Sequence, residues 1–135
     1  MQNTAALLKI RQARSWLLRE HVWLGALSLK LEPEETTNPE CTYFATDGQR
    51  LLYNAKRILA EPVDQIAGVI AHECSHCALG HFARQGERDA KLWNIATDHA
   101  ANHLLNDAGV ILPNGGLMDP NYHGWRAERI YTDLE

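Results

Sequence analysis

The segment from Val63 to Leu79 constrains the fold of this chain more than any other, because it has the pattern of one buried helix. Its residues are mostly small or aliphatic, yet its middle carries His72, Glu73 and His76 in an H-E-x-x-H arrangement. Residues four apart lie on the same face of a helix, so both imidazoles can reach one metal ion while Glu73 lies to the side. Two histidine ligands with an adjacent carboxylate base are the arrangement of a zinc peptidase.

The same segment has a structural alternative, in which the two histidines are core residues with satisfied hydrogen bonds. Ionisable groups in the middle of an apolar helix cost stability unless they are paired or bound to a metal. The motif therefore favours a metal site over a purely structural helix.

Length and composition restrict the class of protein. A chain of 135 residues can bury a hydrophobic core without the help of disulfide bonds or a structural metal. Its content of 45% hydrophobic and 22% charged residues is ordinary for a soluble protein. The net charge of −4 gives no strong field for nucleic acid or a membrane surface, and no apolar run is long enough to span a bilayer. We expect one domain over residues 1–135, with neither nucleic acid nor a membrane as partner.

The cysteines predict a reducing environment. Cys41, Cys74 and Cys77 are an odd number, which does not indicate a disulfide framework, so we expect a cytoplasmic protein. Counting about 100° per residue, Cys74 and Cys77 point away from the His72 face of the helix. They are predicted to be small core residues rather than zinc ligands.

The N-terminal half predicts a helix, a small sheet and a hairpin. Alternating leucines after Gly25 indicate a half-buried strand, and Asp47-Gly48 between two β-prone runs indicates a hairpin turn. The predicted elements are a helix from Thr4 to Arg19, a strand within Val22 to Leu31, a solvated loop from Glu32 to Glu40 and a hairpin from Cys41 to Asn54.

The C-terminal half is mainly helical. Gly80 can take the left-handed position that ends the motif helix. We predict a second long helix from Glu87 to Asn106, a loop-rich tail from Val110 that includes Pro113 to Gly116, and a last helix from Ala127 to Leu134.

A catalytic zinc usually has three protein ligands and one open position, so the two motif histidines need a partner. Asp98 is favoured, because 22 residues after His76 leave room for a turn and an antiparallel return on the next helix. His81 is the rival third ligand if Gly80 breaks the helix. The two remaining candidates point away from this face and are expected to be surface residues: His99 and His103.

Asp98 belongs to a polar stripe on the second long helix. Asn94, Asp98 and Asn102 recur every four residues on a helix that is otherwise core-like. Asn102 is placed to accept a hydrogen bond from the outer nitrogen of His72 or His76, as metal-bound imidazoles require. Asn94 is expected as a further polar neighbour of the site. The alternative for Asp98 is a charge on a solvated helix face, which the apolar run around it disfavours.

The chain resembles the "Putative metallopeptidase domain", the N-terminal half of bacterial and phage proteins that carry a von Willebrand factor A-like second domain. The matching motifs keep their order and spacing from about Trp23 to Leu134: Ala45 to Gly48, Tyr53 with Asn54, His72 to His76, Gly80 with His81, Arg84, Trp93 to Asp98, Asn102, and Ala127 to Tyr131.

The resemblance implies an α+β, zincin-like fold of the minimal gluzincin type. Its elements would be an N-terminal helix, a mixed sheet of about three strands, the H-E-x-x-H helix and a second ligand-bearing helix. Gluzincins use Glu as third ligand, so Asp98 followed by Asn102 is a shorter and less charged version. The metzincin pattern does not fit, because Gly80 and His81 follow His76 at the wrong intervals. The second domain is not within these residues, so the chain is expected to act alone or with such a domain or protein partner.

The predicted function is zinc-dependent hydrolysis of a peptide or protein substrate. One Zn²⁺ per chain would be held by His72, His76 and Asp98, and Glu73 would be the general base toward a metal-activated water. An extended substrate could pair with a free sheet edge at Thr42 to Ala45 or Arg50 to Asn54. Four residues remain equal candidates for stabilising the oxyanion: Arg84, Tyr122, His123 and Tyr131.

Two other functions compete with this one. The first is a zinc-binding module that is catalytically silent, or that depends on a partner because its second domain is missing. The second is an adaptor domain without metal, in which the polar groups form a buried network.

Overall fold

The computed structural model describes residues 3–112 and 116–135, and residues 113–115 of the predicted loop lie outside them. The described residues form an α+β fold of helices and a small mixed sheet. The elements in chain order are α1 (Thr4–Glu20), α2 (Val22–Ser28), β1 (Glu32–Glu35), β2 (Phe44–Thr46), β3 (Arg50–Tyr53), α3 (Ala55–Ala60), α4 (Val63–Ala78), α5 (His81–Arg84), α6 (Ala90–Asp107), a 3-10 turn (Pro120–Tyr122) and α7 (Ala127–Leu134).

Helix α4 is the centre of the molecule and packs against α1, α2 and α6. Its core side includes Ile66 and Ile70, both fully buried, and burying an aliphatic side chain of this size contributes about 1.5–3 kcal/mol. The helix begins after Pro62 and ends at Ala78, and Gly80 has a φ of 67°. The predicted extent of the motif helix and its glycine stop are therefore confirmed.

The strand predicted within residues 22–31 is wrong, because this segment forms α2. Its buried positions are Leu24, Gly25 and Ser28, which recur at helical spacing. A Cβ on Gly25 would lie 2.6 Å from the backbone nitrogen of Leu18, so the glycine permits close packing on α1. The leucine alternation was misleading, since Leu29 is 57% exposed.

The loop predicted from Glu32 to Glu40 is partly wrong, because Glu32–Glu35 forms β1, parallel to β3. Pro33 has no backbone N–H to donate. It is tolerated in β1 because this strand lies at the edge of the sheet and pairs with a neighbour on one side only. Glu34 forms an ion pair with Arg50 of β3 at 2.7 Å. The neighbouring strand therefore supplies the charge that stabilises this acidic segment.

The predicted hairpin is confirmed by β2 and β3, which are antiparallel. The strand order β1-β3-β2 places β3 in the centre, so residues 50–53 do not form a free edge, while β2 lies at the edge. In the turn, Gly48 has a φ of 93°, and the Asp47 carboxylate accepts hydrogen bonds from the backbone N–H groups of Gln49 and Arg50.

Cys74 is fully buried within the core cluster, and Cys77 packs against that cluster half-buried, as their predicted role as core residues requires. Burial raises the pKa of the Cys74 thiol to about 12, so this residue stays a neutral thiol. Over residues 3–112 and 116–135, none of the helices has the length and apolar character needed to cross a membrane.

Candidate metal centre

Three side chains from two helices converge at one point. Asp98 Oδ1 on α6 lies 3.1 Å from both His72 Nε2 and His76 Nε2 on α4, and the two Nε2 atoms are 3.0 Å apart. Zn–N and Zn–O bonds are about 2.0–2.2 Å, so two atoms bound to one ion lie a little more than ~3 Å apart. The spacing and the donor set, two imidazoles and a carboxylate, fit a divalent transition metal.

The outer nitrogen of His72, Nδ1, is hydrogen-bonded to the side-chain amide of Asn102, and a second hydrogen bond fixes the orientation of that amide. His72 Nδ1 lies 2.8 Å from Asn102 Oδ1, while Asn102 Nδ2 donates to the carbonyl of Leu117 at 2.8 Å. Because the amide nitrogen is used at Leu117, its oxygen faces the imidazole and can only accept. His72 Nδ1 therefore carries the proton, and the lone pair of Nε2 points into the cluster.

His81 does not join the cluster. Its Nδ1 lies 2.9 Å from His76 Nδ1, the nitrogen opposite the one that faces Asp98. Burial, together with the nearby His76 and Arg84, lowers the pKa of His81 to about 4. The structure thus brings Asp98, rather than the rival His81, to the two motif histidines.

The cluster favours positive charge. Burial would raise the pKa of Asp98, but hydrogen bonds from His72 and His76 outweigh burial and hold it well below its usual range. For His72, burial lowers the pKa, yet the hydrogen bond and charge of Asp98 raise it more, so the pKa is above its ordinary value. The carboxylate therefore attracts either a proton or a cation to the same point.

Glu73 lines the same cleft but lies outside the converging group. Burial raises the pKa of its carboxyl group, and the adjacent His72 and His76 only partly offset the rise. A carboxyl group with a raised pKa is suited to accept a proton and return it, as general acid–base catalysis requires.

The cleft has a volume of about 310 Å³ and lies between β2 and the helices. Strand β2 lines the cleft, as do Phe82 and Trp93. Asn54 N–H donates to the Tyr43 carbonyl, and hydrogen-bonded pairs alternate along antiparallel strands. The backbone groups of Phe44 and Thr46 therefore point away from β3, at the open edge beside the cleft.

The expectation that His99 and His103 are surface residues is wrong, because each is only 7% exposed. The Asp119 N–H donates to His99 Nδ1, and His103 Nε2 lies 2.7 Å from the Asp119 carbonyl. Both histidines bind a backbone segment that is remote in sequence, so nothing near them in the chain could have revealed this role.

The candidates for oxyanion stabilisation lie elsewhere, because none of them is among the described residues that line the cleft. Each has its own partner: Arg84 with Glu128, Tyr122 with Asp133, Tyr131 with the Asp89 N–H and His123 with Asp107. Asn94 is exposed and lines the cleft. Gln85 also lines the cleft, although the sequence analysis did not identify it as a site residue. Both side chains carry amide N–H donors.

Comparison with known proteins gives one family and one relative. The family model described as "Putative metallopeptidase domain" matches residues 7–135. A Thermotoga maritima protein described as "Uncharacterized protein" is 30% identical over an alignment of 131 residues. The alignment covers 77% of this chain and 33% of the relative. The chain thus spans about a third of the length of that relative. No solved structure matches the chain.

Proposed function

The chain belongs to the "Putative metallopeptidase domain" family, and from this premise we propose that it is a zinc-dependent peptidase. The observation that carries the proposal is the convergence of His72, His76 and Asp98 at a cleft that Glu73 also lines. A metal-free network could also bury polar groups. However, it would not need two imidazole lone pairs and a carboxylate directed at the same point beside an open cleft.

Each residue has a distinct task in the proposed reaction. His72 and His76 would hold the ion through Nε2, and Asp98 would hold it through a carboxylate oxygen. Bound Zn²⁺ supplies the Lewis acidity that lowers the pKa of a coordinated water toward about 7. Glu73 accepts the proton from the attacking water and then donates it to the leaving amine, which its raised pKa favours.

The open edge of β2 supports a peptide as substrate. The backbone N–H and C=O groups of Phe44 and Thr46 point away from β3, and both residues line the cleft. An extended peptide can pair with such an edge as an additional strand, which presents a backbone carbonyl to the metal centre. Of the two edges considered from the sequence, this reasoning favours the first, Thr42 to Ala45, whose last two residues belong to β2.

Within the zincins we assign the chain to a minimal gluzincin-like type. After the motif helix α4 and the short α5, helix α6 carries Asp98 as the third ligand and Asn102 one turn later. A shorter carboxylate in place of glutamate is accommodated because Asp98 already lies 3.1 Å from both imidazoles.

The length of the relative favours a second candidate function. Because the chain spans 33% of the Thermotoga maritima protein, the remaining part of such proteins can be needed for activity. The chain would then be a zinc-binding module that is silent until a further domain, of the von Willebrand factor A-like type, or a partner protein completes it.

Glu73→Gln tests the proposal against both alternatives. We expect about one zinc ion per chain in the parent and the variant, and hydrolysis of an unstructured protein substrate by the parent alone. Glu87→Gln, at an exposed position, is the matched control and should behave as the parent. Zinc without hydrolysis in the parent supports the silent module. A zinc content below about a tenth per chain contradicts both metal-dependent functions.

A further inference from the structure

His81 lies directly behind His76, on the side away from the metal ligands. The two Nδ1 atoms are 2.9 Å apart, while His76 Nε2 lies 3.1 Å from Asp98 Oδ1. His81 is 3% exposed, and its ring lies edge-on to both His76 and Trp93. The contact is thus a buried hydrogen bond between two imidazoles, and one of the two nitrogens must donate while the other accepts.

The chemistry of metal binding decides which nitrogen donates. An imidazole that binds a cation through Nε2 is neutral and carries its proton on Nδ1. The proton between the rings therefore belongs to His76, and His81 must present an unprotonated Nδ1 to accept it.

We propose that His81 is a positioning residue of the metal centre, which accepts the Nδ1 hydrogen of His76 and so holds its Nε2 toward His72 and Asp98. The proposal rests on the zinc centre proposed above. It gives His76 the same kind of outer partner that His72 has in Asn102. Each motif histidine then has a neutral acceptor behind it.

The backbone around His81 is anchored on both sides. Trp93 Nε1 on α6 donates to the His81 carbonyl at 2.8 Å. Arg84 Nη1 donates to the Leu79 carbonyl at 2.6 Å, and the Arg84 guanidinium pairs with Glu128 on α7. These contacts fix α5 against α4, α6 and α7, so the His81 ring is held rigidly against His76, as a positioning residue requires.

Two substitutions separate hydrogen bonding from packing. His81 lines both the cleft and a second cavity of about 390 Å³, so alanine would remove the ring volume that fills the space beside them. His81→Phe keeps the ring volume beside Trp93 but removes the acceptor. His81→Asn loses the ring but keeps an oxygen acceptor near the position of Nδ1. A positioning role requires Asn to be the better replacement, whereas a packing role requires Phe.

Zinc affinity, measured by competition with a chelator near neutral pH, is the first readout. We expect His81→Phe to weaken affinity by about 10–100-fold and His81→Asn to stay within about threefold of the parent. His21→Phe is the control, since His21 is a half-buried histidine that packs against Trp16, outside the ligand cluster. It should bind zinc as the parent does. Equal affinity in the two His81 variants, or weaker binding by Asn, overturns the proposal.

Long-range nitrogen–proton NMR on the zinc-loaded parent is the second readout, and it needs no variant. His76 should carry a slowly exchanging hydrogen on Nδ1, and His81 should carry its hydrogen on Nε2. A protonated His81 Nδ1 overturns the proposal even if the variants do not fold. If the parent binds no zinc, the metal centre itself is wrong. If it binds zinc and the His81 variants bind equally well, only the positioning role is wrong.

Discussion

His72 Nδ1 and Asn102 Oδ1 are 2.8 Å apart, and this bond connects the motif helix to the helix that carries Asp98. The amide is itself directed by its bond to the Leu117 carbonyl. The segment around Leu117 therefore contributes to the orientation of His72 through one intervening side chain.

Asn102→Leu should weaken zinc binding by about 10–100-fold, because it leaves the outer nitrogen of His72 without its acceptor. Chelator competition measures this affinity. Asn106→Leu, one turn further along α6 at an exposed position, is the control and should bind zinc normally. Unchanged affinity in Asn102→Leu would mean that the hydrogen bond does not orient the ligand.

Zinc binding should release protons. Because Asp98 raises the pKa of His72 above its ordinary value, part of the metal-free protein carries a second proton on His72, at Nε2, which the cation must displace. Zinc affinity should consequently decrease as the pH is lowered through the pKa of His72. Calorimetry in buffers of different ionisation enthalpy measures the number of protons released.

Asp98→Asn provides the comparison for that measurement. Removing the carboxylate charge should lower the pKa of His72 in the metal-free protein, since that charge and its hydrogen bond cause the rise. Fewer protons should then be released near neutral pH, although zinc binds more weakly. If proton release is the same in parent and variant, Asp98 does not control the protonation of the cluster.

Much of the fold was predictable because its signals are local. The H-E-x-x-H helix, the Asp47-Gly48 hairpin and the helix from Ala127 to Leu134 each carry their periodicity and their stop signals within a few residues. The polar stripe on α6 likewise led to Asp98, since a repeat of four residues appears in the sequence itself.

The errors occurred where the decisive contact is remote in sequence. Helix α2 packs on α1 through Gly25 against Leu18, and a glycine adds nothing to the hydrophobic pattern of the sequence. Strand β1 depends on its pairing with β3 and on the ion pair between Glu34 and Arg50. The burial of His99 and His103 depends on Asp119, which lies on another segment. Local periodicity cannot report such partners.

Phe82 is 48% exposed at the rim of the cleft, with its ring centroid 6.4 Å from that of His76. If the chain is a peptidase, this aromatic surface should contact a large apolar side chain next to the scissile bond. Phe82→Ala should lower kcat/KM about 10-fold for peptides with such a residue, and much less for peptides with glycine there. Zinc affinity should not change.

Leu59→Ala is the control for this prediction, because Leu59 is 44% exposed on α3 and is not among the described residues that line the cleft. It should leave both classes of peptide unaffected. Equal losses for apolar and glycine peptides in Phe82→Ala would assign Phe82 to the general shape of the cleft rather than to side-chain recognition.

The Arg84–Glu128 pair should make stability depend on acid pH. Hydrogen bonds from Arg84 lower the pKa of Glu128 from its ordinary 4.5 to about 2. A lowered pKa in the folded state stabilises the protein above pH 4.5. This contribution declines as the pH falls toward about 2. Since both side chains are partly exposed, we expect Glu128→Gln to lower the free energy of unfolding by about 1 kcal/mol near pH 7.

Urea unfolding at several pH values measures the difference between parent and Glu128→Gln, which should shrink as the carboxylate of the parent is protonated. Glu87→Gln, at an exposed position, should match the parent throughout. Because Arg84 also binds the Leu79 carbonyl beside α5, Glu128→Gln should weaken zinc binding slightly through His81. A stability difference that is constant from neutral to acid pH would show that the ion pair is not its source.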